Sequence, residues 1–544
     1  MTTFEHGMVV AAQPEAVEAG AAVLRSGGNA VDAVIATGLV AGVVDPQMCG
    51  IAGFGNLQVL LPADGVHRCI DFHARSPLAT RPDQWEDLVI GETRDGFGFV
   101  LEGHVNDVGY QAVATPGSLL AYFEAQTTWG VKDWAEIVEP AVRLAEDGFV
   151  IRPHTARWWA EGATLGRADN RDRLRFSATG RDLYFRPDGS LKRMGDVLAN
   201  PDLAATLRTI ARDGADTFYT GAIAERIAED MAANGGLLDA DDLAAYRTAH
   251  NDPLTGSYRG NRITTNHPPG GGVMVLEMLN VLEHFDLAAM GHNSVDYVRT
   301  VTETMKRATS DKDAFVGDPA FVDVPVERLL SAEHARDHAA SITAGDRASV
   351  TRLALESADT THVAVIDCDG NAASMTHSLG MPSGVITDGL GFMYNGCMAV
   401  FDPRPGHADS LAPGKSRFSS LCPTMVFHGG GADDLRIVVG APGGTQIAMG
   451  VTQALLNVID HGMDMLGAVS APRVSGTSDA IDVANGVPWS VTDALEGEGY
   501  QVIRSPRTHD FAAVYGIRVD GGRLDGGADP AADGIVQTVE TEKG

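Results

Sequence analysis

Apolar side chains recur at helical intervals in the first part of the chain. Residues 14–26 carry this pattern and stop at a Gly-Gly pair, which predicts a first helix. Residues 29–44, rich in Ala and Val, predict a second helix that can pack tightly against its neighbours. A strand-like run follows at residues 56–61, after a glycine-rich segment. The N-terminal part therefore combines buried helices with at least one strand.

The pattern changes close to Thr360. Before this residue, residues 116–250 are mostly helical, and further helices are predicted over 273–285 and 295–309. After it, short β-rich runs alternate with Asp-Gly and Gly-Gly turns. These runs predict strands at 363–366, 372–376, 435–439 and 511–519, and a single helix at 445–460. No linker rich in Pro or Ser separates the two parts, so we expect one interwoven globule with sheets between helices.

Composition narrows the class of partner. The chain has 544 residues, of which 44% are hydrophobic and 21% charged, the balance of a globular protein with a large core. Its formal net charge is -31, from 41 Lys and Arg against 72 Asp and Glu. A surface this acidic repels phosphates and anionic lipids, so we expect neither a nucleic acid nor a membrane as partner.

The N-terminus and the cysteines bear on the compartment. No basic segment followed by an apolar one begins the chain, and the most apolar stretch, 33–44, is too short to span a bilayer. The five cysteines are odd in number and show no CxxC spacing, which argues against a disulfide framework and a zinc site. The 17 histidines show no HExxH or other ligand spacing. We therefore expect a cytoplasmic protein without a metal or a cofactor.

The segment that begins at Asp359 has the strongest candidate chemistry. It reads Asp-Thr-Thr-His-Val-Ala-Val-Ile-Asp and continues through Asp369-Gly370 into a second β-rich run that contains Ser378. As a bare pattern this is a polar turn followed by a β-hairpin, in which two threonines serve β-propensity and turn hydrogen bonds. His362 and His377 are interpreted as structural residues of this hairpin.

A set of motifs that occur in a fixed order along the whole chain indicates a catalytic role for this segment. They are the blocks at 7–12 (GMVVAA), 19–33 (AGAAVLRSGGNAVDA), 45–47 (DPQ), 114–117 (ATPG), 360–362 (TTH), 419–423 (SSLCP) and 440–444 (GAPGG). In this order the set resembles the γ-glutamyltranspeptidase family of N-terminal-nucleophile hydrolases. The resemblance implies an α/β (α+β) fold with four layers, αββα. It also implies a zymogen that cuts itself into a large subunit (1–359) and a small subunit (360–544), with a dimer of such heterodimers as the expected assembly.

The resemblance implies the catalytic residues as well. Cleavage between Asp359 and Thr360 would expose the Thr360 hydroxyl as nucleophile and its own α-amine, with a pKa of about 7.7–8.0, as the general base. Ser378 holds the family position of a hydroxyl that supports the nucleophile. Gly443 and Gly444 correspond to the oxyanion hole, where backbone amides stabilise developing negative charge. No cofactor is implied.

The substrate-binding positions depart from the family pattern. They fall on His73, Arg75, Gly380, Cys397, Val400, Ser419 and Ser420. His73 stands where the family has an arginine, with Arg75 two residues later, and Val400 stands where an aspartate binds the α-amino group of glutamate. An ammonium facing Val400 would lose its charge partner, at a cost of about several kcal/mol. Cys397, at a position where glutamine is frequent, is interpreted as a pocket-wall thiol and not as a nucleophile.

These departures predict an autoprocessing amidohydrolase or acylase that transfers an acyl group from a small amide to water through an ester on Thr360. Its acyl group would lack the α-amino group of a standard γ-glutamyl compound. Two alternatives stay open at this point. The first is a γ-glutamyltransferase or glutathione hydrolase with altered glutamate-binding residues, and the second is an uncleaved, inactive homologue that only binds its ligand.

Overall fold

Two antiparallel β-sheets lie at the centre of the protein. The computed structural model describes residues 3–93, 96, 98–162, 167–350, 360–429, 434–506 and 511–540. The strands are β1 (His6–Ala11), β2 (Phe54–Leu61), β3 (Val66–Phe72), β4 (Val89–Glu92), β5 (Phe99–Leu101), β6 (Phe149–Val150), β7 (Val197–Leu198), β8 (Ala249–Asn251), β9 (Leu254–Tyr258), β10 (Asn261–Thr265), β11 (Thr361–Ile366), β12 (Ala372–Ser378), β13 (Thr424–His428), β14 (Leu435–Gly440), β15 (Val474–Ser475), β16 (Ile481–Val483), β17 (Val502–Arg504), β18 (Tyr515–Asp520), β19 (Arg523–Ala528) and β20 (Ile535–Glu540).

Helices cover both sheets. They are α1 (Pro14–Arg25), α2 (Ala30–Val44), α3 (Ser118–Trp129), α4 (Trp134–Asp147), α5 (Pro153–Ala160), α6 (Asn170–Leu174), α7 (Ala178–Tyr184), α8 (Pro201–Asp213), α9 (Asp216–Tyr219), α10 (Ala222–Ala233), α11 (Ala240–Ala245), α12 (Gly272–Leu282), α13 (Leu287–Met290), α14 (Val295–Phe315), α15 (Val326–Leu329), α16 (Ala332–Ala344), α17 (Ile447–Ile459), α18 (Met465–Ser470) and α19 (Trp489–Gly497). Among the described helices, none combines the length and the apolar character that a membrane crossing requires.

Each central sheet takes strands from both sides of Thr360. The larger sheet has the order β20-β1-β11-β12-β2-β3-β8, and the second has the order β19-β18-β14-β13-β10-β9. In the larger sheet β11 pairs with β1 on one edge and with β12 on the other. The two halves of the chain therefore share both sheets, and the expected interwoven globule is confirmed.

Alternation along β11 explains how the layers stack. Val363 and Val365 belong to the core that this sheet forms with helices α1 and α2. Ala364 and Ile366 point the other way, into a smaller core shared with Val438 of the second sheet. Successive residues of a strand face opposite sides of its sheet, so a strand buried on both sides is apolar throughout.

The fourth layer covers the outer face of the second sheet. Ile437 and Val439 of β14 pack in a third core with helices α12, α14 and α17, including Val275, Val301 and Val451. The order of layers is therefore helix, sheet, sheet, helix. This confirms the αββα fold.

The predicted elements agree with the structure, except that two of them begin later than predicted. The helix predicted from residue 29 begins after Asn29, whose side chain accepts the amides of Val31 and Asp32 as an N-cap. The strand predicted over 511–519 begins later, at Tyr515. Ala512 instead approaches Gly443 closely, and Phe511 lines the cavity at Thr360 together with Pro442. Tertiary contact with that loop overrides the β-propensity of Phe511.

Candidate active site

Thr360 lies directly before strand β11, and its hydroxyl contacts Ser378 at the end of strand β12. The Thr360 Oγ1–Ser378 Oγ distance is 3.0 Å, with Thr360 as donor. Ser378 Oγ also accepts the Gly380 amide at 2.8 Å. Both hydroxyls are almost completely buried, at 7% and 1% exposure. The predicted nucleophile and its predicted supporting hydroxyl are therefore in direct contact.

The register of the hairpin produces this contact. Thr361 lies opposite His377 in the β11–β12 ladder, so the next pair outward is Thr360 and Ser378. At the other end, the turn is closed by Asp367, whose carboxylate accepts the amides of Asp369 and Asn371 at 3.0 Å each. A turn with fixed geometry sets the register of the two strands.

The glycine loop after strand β14 lies beside Thr360. Pro442 and Thr360 line the same small cavity of about 40 Å³. Gly443 has φ +141° and Gly444 has φ +55°. A Cβ at Gly443 would come within 2.6 Å of the Ala512 Cα atom, so no other residue fits. Neither glycine amide donates a backbone hydrogen bond within the part of the chain that the structure describes.

A buried polar network holds the strand that begins at the nucleophile. The Gln13 side chain donates to Asp45 at 2.9 Å and contacts the Thr361 hydroxyl at 3.1 Å. Asp45 also accepts from Thr155 at 3.1 Å and from Gln47. Burial raises the pKa of Asp45, while His154 and these hydrogen bonds oppose the rise. The motif at 45–47 was visible in the sequence, but its pattern did not predict that Asp45 lines the cavity at Thr360.

The two histidines of the hairpin are neutral structural residues. Burial lowers the pKa of His362 to about 3, and His377 adds to the effect. Burial alone lowers the pKa of His377 to about 3. His362 contacts the Thr376 hydroxyl at 2.8 Å, and His377 is hydrogen-bonded to the Tyr122 hydroxyl. An imidazole with so low a pKa is a poor acid–base group at neutral pH, which agrees with the structural interpretation.

A buried arginine that sequence reasoning missed lies among the predicted substrate positions. The Arg417 guanidinium interacts with the Cys397 thiol and lies 4.3 Å from the centre of the Phe54 ring. It is also 3.8 Å from the point that a Cβ of Gly380 would occupy. Burial lowers the pKa of Arg417, but a guanidinium keeps its proton in proteins. The permanent positive charge of Arg417 therefore lies next to Gly380, whose amide donates to Ser378.

Asp409 lies among three cations close to this site. Burial raises the pKa of Asp409 to about 6, and the Phe418 amide, Lys415, Arg417 and Lys312 each oppose that rise. Lys312 also pairs with Asp313, and Asp318 acts on Lys415, so the charges of this group are mixed. Arg417, at 1% exposure, is the most buried of the three cations.

Cys397 and Val400, two of the predicted substrate positions, carry no charge. Burial raises the pKa of Cys397 to about 11, so the thiol is protonated at neutral pH and is not an activated nucleophile. Val400 is 7% exposed and packs in the core on the helix side of the larger sheet. It also lines a cavity of about 420 Å³ together with Phe418 and Asp409.

The two serines belong to the same segment as Arg417. The Ser419 amide donates to the Pro269 carbonyl at 2.9 Å, and the main chain of Ser420 lies against Gly271. Both serines are buried, at 4% and 5% exposure. The segment is thus fixed from behind by residues 269–271.

His73 and Arg75 differ in their surroundings. The His73 ring is buried, hydrogen-bonded to Asp71 at 2.7 Å, and its centre is 6.0 Å from that of Phe54. The Arg75 guanidinium instead donates to the Arg247 carbonyl at 3.0 Å and lies over the Tyr246 ring. The Phe54 ring therefore lies between His73 and Arg417, whereas the Arg75 side chain contacts neither of them.

One predicted residue of the site is not described by the structure, and one residue near the site was not predicted from the sequence. Asp359, the other half of the predicted cleavage site, lies outside the described residues. Arg417 was missed because its proximity to Gly380 and Cys397 is a tertiary relationship. Its sequence signal was a charged residue two positions before the paired serines, 419 and 420.

Known proteins are similar to this chain in sequence and in architecture. The family described as Gamma-glutamyltranspeptidase matches residues 16–539. The acylase ACY 1 proenzyme of Pseudomonas sp. (strain V22) is 38% identical over 98% of this chain and 93% of its own. The glutathione hydrolase proenzyme of Escherichia coli (strain K12) is 32% identical over 92% of this chain and 86% of its own. The crystal structure of cephalosporin acylase from Bacillus halodurans superposes with a TM-score of 0.86 at 28% identity, covering 98% and 96% of the two chains.

Proposed function

Because the chain belongs to the γ-glutamyltranspeptidase family of amide-cleaving N-terminal-nucleophile enzymes, we propose that it is an acylase with Thr360 as its nucleophile. Its acyl substrate carries a carboxylate and lacks an α-amino group. The observation that carries the substrate assignment is the buried Arg417 guanidinium beside Cys397 and Gly380, with the apolar Val400 at the α-amino position.

Maturation uses the same hydroxyl as catalysis. The Thr360 oxygen adds to the carbonyl carbon of Asp359, and the peptide bond breaks as the acyl group moves from nitrogen to oxygen. Water then hydrolyses this ester, which leaves a carboxylate at Asp359 and a free α-amine at Thr360. The products are a large subunit, 1–359, and a small subunit, 360–544. The 3.0 Å contact from Ser378 supports this step because it orients the hydroxyl before any substrate is present.

Turnover repeats the chemistry on an external amide. The Thr360 hydroxyl attacks the substrate carbonyl, its proton passes to the α-amine, and that proton then goes to the leaving amine. The amides of Gly443 and Gly444 stabilise the tetrahedral oxyanion, for which preorganised donors contribute about 3–4 kcal/mol each. Water cleaves the resulting ester on Thr360 and releases the acid.

The charges of the site select the acyl group. A carboxylate at the far end of the acyl chain meets the Arg417 guanidinium, and the hydroxyls of Ser419 and Ser420 lie in the same segment. Bidentate arginine–carboxylate pairs are strong and geometrically specific. An α-ammonium would instead face the uncharged Val400 and lose its charge partner, at a cost of about several kcal/mol.

A matched pair of substrates tests the proposal. Glutaryl-p-nitroanilide and γ-glutamyl-p-nitroanilide share the reacting amide, but only the second has an α-amino acid group. We expect the glutaryl compound to have the higher kcat/KM by at least about tenfold, or about 1.4 kcal/mol. A preference for the γ-glutamyl compound would support the altered γ-glutamyltransferase instead.

The Arg417→Met variant links the preference to this site. It should raise KM for glutaryl-p-nitroanilide much more than for acetyl-p-nitroanilide, which has no distal carboxylate. Thr360→Ala is the inactive control on a denaturing gel. A single wild-type band at 57.2 kDa, with no turnover of any amide, would support the uncleaved binding homologue and overturn the proposal.

A further inference from the structure

Four potential metal ligands meet on three helices of the layer that covers the second sheet. Glu277 lies on α12, Asp311 on α14, and His334 and His338 on α16. The two histidines are four residues apart, which places them on one face of the helix. The expectation that no histidines have ligand spacing was therefore wrong for this pair. His334 and His338 have the four-residue spacing of the two histidines in HExxH, but no glutamate follows the first histidine.

The ligand atoms converge on one point. His334 Nε2 lies 3.2 Å from Glu277 Oε1, 3.1 Å from Asp311 Oδ2 and 3.0 Å from His338 Nε2. His338 Nε2 lies 3.1 Å from Asp311 Oδ2 and 4.0 Å from Glu277 Oε1. A tetrahedral zinc site with bonds of about 2.05 Å has ligand–ligand edges of about 3.3 Å. The observed separations scatter around that value.

As a cluster of hydrogen bonds alone, this arrangement needs a proton at each close contact, including the one between Glu277 and Asp311. Two ring nitrogens 3.0 Å apart need one proton between them, and each also faces a carboxylate. The Glu277 side chain is 3% exposed, where an unneutralised charge is costly. In the described part of the chain, the only cationic partners of Glu277 and Asp311 are these two histidines. A divalent cation would neutralise both carboxylates and use both imidazole lone pairs.

We propose that Glu277, Asp311, His334 and His338 form a structural zinc site. The set of two imidazoles and two carboxylates suits a borderline cation that accepts both nitrogen and oxygen ligands. All four positions are filled by protein, which is the pattern of a structural and not a catalytic ion. The histidines are 13% and 23% exposed, so the ion can reach the site from solvent.

The site would connect the helix layer to the wall of the larger cavity. Asp311 lies between Ser310 and Lys312 on α14, and both of these residues line the cavity of about 420 Å³ that also contains Val400. An ion that joins α12, α14 and α16 would fix this turn of α14. Its primary effect is therefore on stability, and it does not depend on which amide the enzyme cleaves.

Metal analysis of the purified full-length protein tests the proposal. We expect about one zinc per chain by mass spectrometry after desalting, and a lower Tm after removal of the ion with a chelator. Added ZnCl2 should restore the Tm. Cobalt(II) in place of zinc should give the intense visible absorption of a tetrahedral centre, a readout independent of activity.

Variants separate a metal site from a hydrogen-bonded cluster. His338→Gln and Glu277→Gln keep the size of each side chain and should abolish both the bound zinc and the zinc-dependent rise in Tm. His284→Gln, at an exposed histidine just after α12, is the matched control and should bind zinc like the wild type. A wild type that takes up no zinc and shows the same Tm with and without ZnCl2 would overturn the proposal. Stoichiometric binding of another divalent metal in preference to zinc would overturn the zinc assignment.

Discussion

The hydroxyl oxygens of Thr360 and Ser378 lie 3.0 Å apart at the open end of a two-stranded hairpin. Ser378 is itself held by the Gly380 amide, so its orientation is fixed by the backbone. One geometric unit therefore joins Thr360, the proposed nucleophile, with Ser378 and with Gly380, a predicted substrate position. Changes at Ser378 should affect maturation and turnover together.

We expect Ser378→Ala to slow both self-cleavage and amide turnover by about tenfold, the cost of about one hydrogen bond of 1.4 kcal/mol. Ser378→Thr keeps the hydroxyl and should recover most of both rates. Densitometry of denaturing gels over time measures cleavage, and a p-nitroanilide assay of the fully cleaved fraction measures turnover. Normal cleavage and normal turnover in Ser378→Ala would show that the contact has no catalytic effect.

A negative charge introduced at position 400 should make the enzyme prefer substrates with an α-amino group. Val400→Asp introduces the carboxylate that an α-ammonium requires. It should raise the kcat/KM ratio of γ-glutamyl- to glutaryl-p-nitroanilide by at least about tenfold. Val400→Asn, of similar size and without charge, is the control for polarity and shape. An equal ratio in the two variants would mean that the charge at this position does not contact the substrate.

A side chain at Gly443 should reduce activity more than a side chain at Gly444. Gly443→Ala places a Cβ 2.6 Å from the Ala512 Cα at φ +141°, so the loop that carries the proposed oxyanion hole must move. We expect kcat to fall by about 10²–10³-fold. Gly444→Ala, at φ +55°, adopts a left-handed conformation that costs only about 1–2 kcal/mol. Its loss should be smaller.

A distant glycine serves as the control for conformational strain. Gly65 has φ +65°, and a Cβ there meets no atom within 4 Å. Gly65→Ala should lower the Tm slightly and leave kcat unchanged. If Gly443→Ala kept wild-type kcat, the Gly443 amide would not be part of the oxyanion hole.

The sequence was sufficient for the hairpin at Thr360, because β-rich runs and an Asp-Gly turn are local patterns, whereas the four layers came from the family resemblance. Helical spacing also predicted α2, although the structure places Asn29 before the helix as its N-cap. The family resemblance then located Ser378 opposite the nucleophile.

Relationships between distant segments were beyond sequence reasoning. Arg417 reaches Cys397 and Gly380 only after β12 and the segment before β13 come together, and no spacing records that contact. His334 and His338 had a visible spacing, but their carboxylate partners lie 57 and 23 residues away from His334 on other helices. The late start of strand β18 likewise depends on contact with the Gly443 loop.

The last prediction concerns acid stability and the buried hairpin histidines. The pKa of His377 is about 3 in the folded protein and about 6.5 in an unfolded chain, so the unfolded state binds the additional proton between these values. Stability is therefore complete above pH 6.5 and is lost as the pH falls toward 3. This residue contributes a slope of about 1.4 kcal/mol per pH unit.

We expect His377→Gln to reduce that slope, whatever its effect on stability at pH 7. Urea unfolding between pH 7 and 4 measures the slope for the wild type and the variant. His284→Gln, which replaces an exposed histidine, is the matched control, and its slope should match the wild type. An unchanged slope in His377→Gln would mean that His377 becomes protonated in the folded protein.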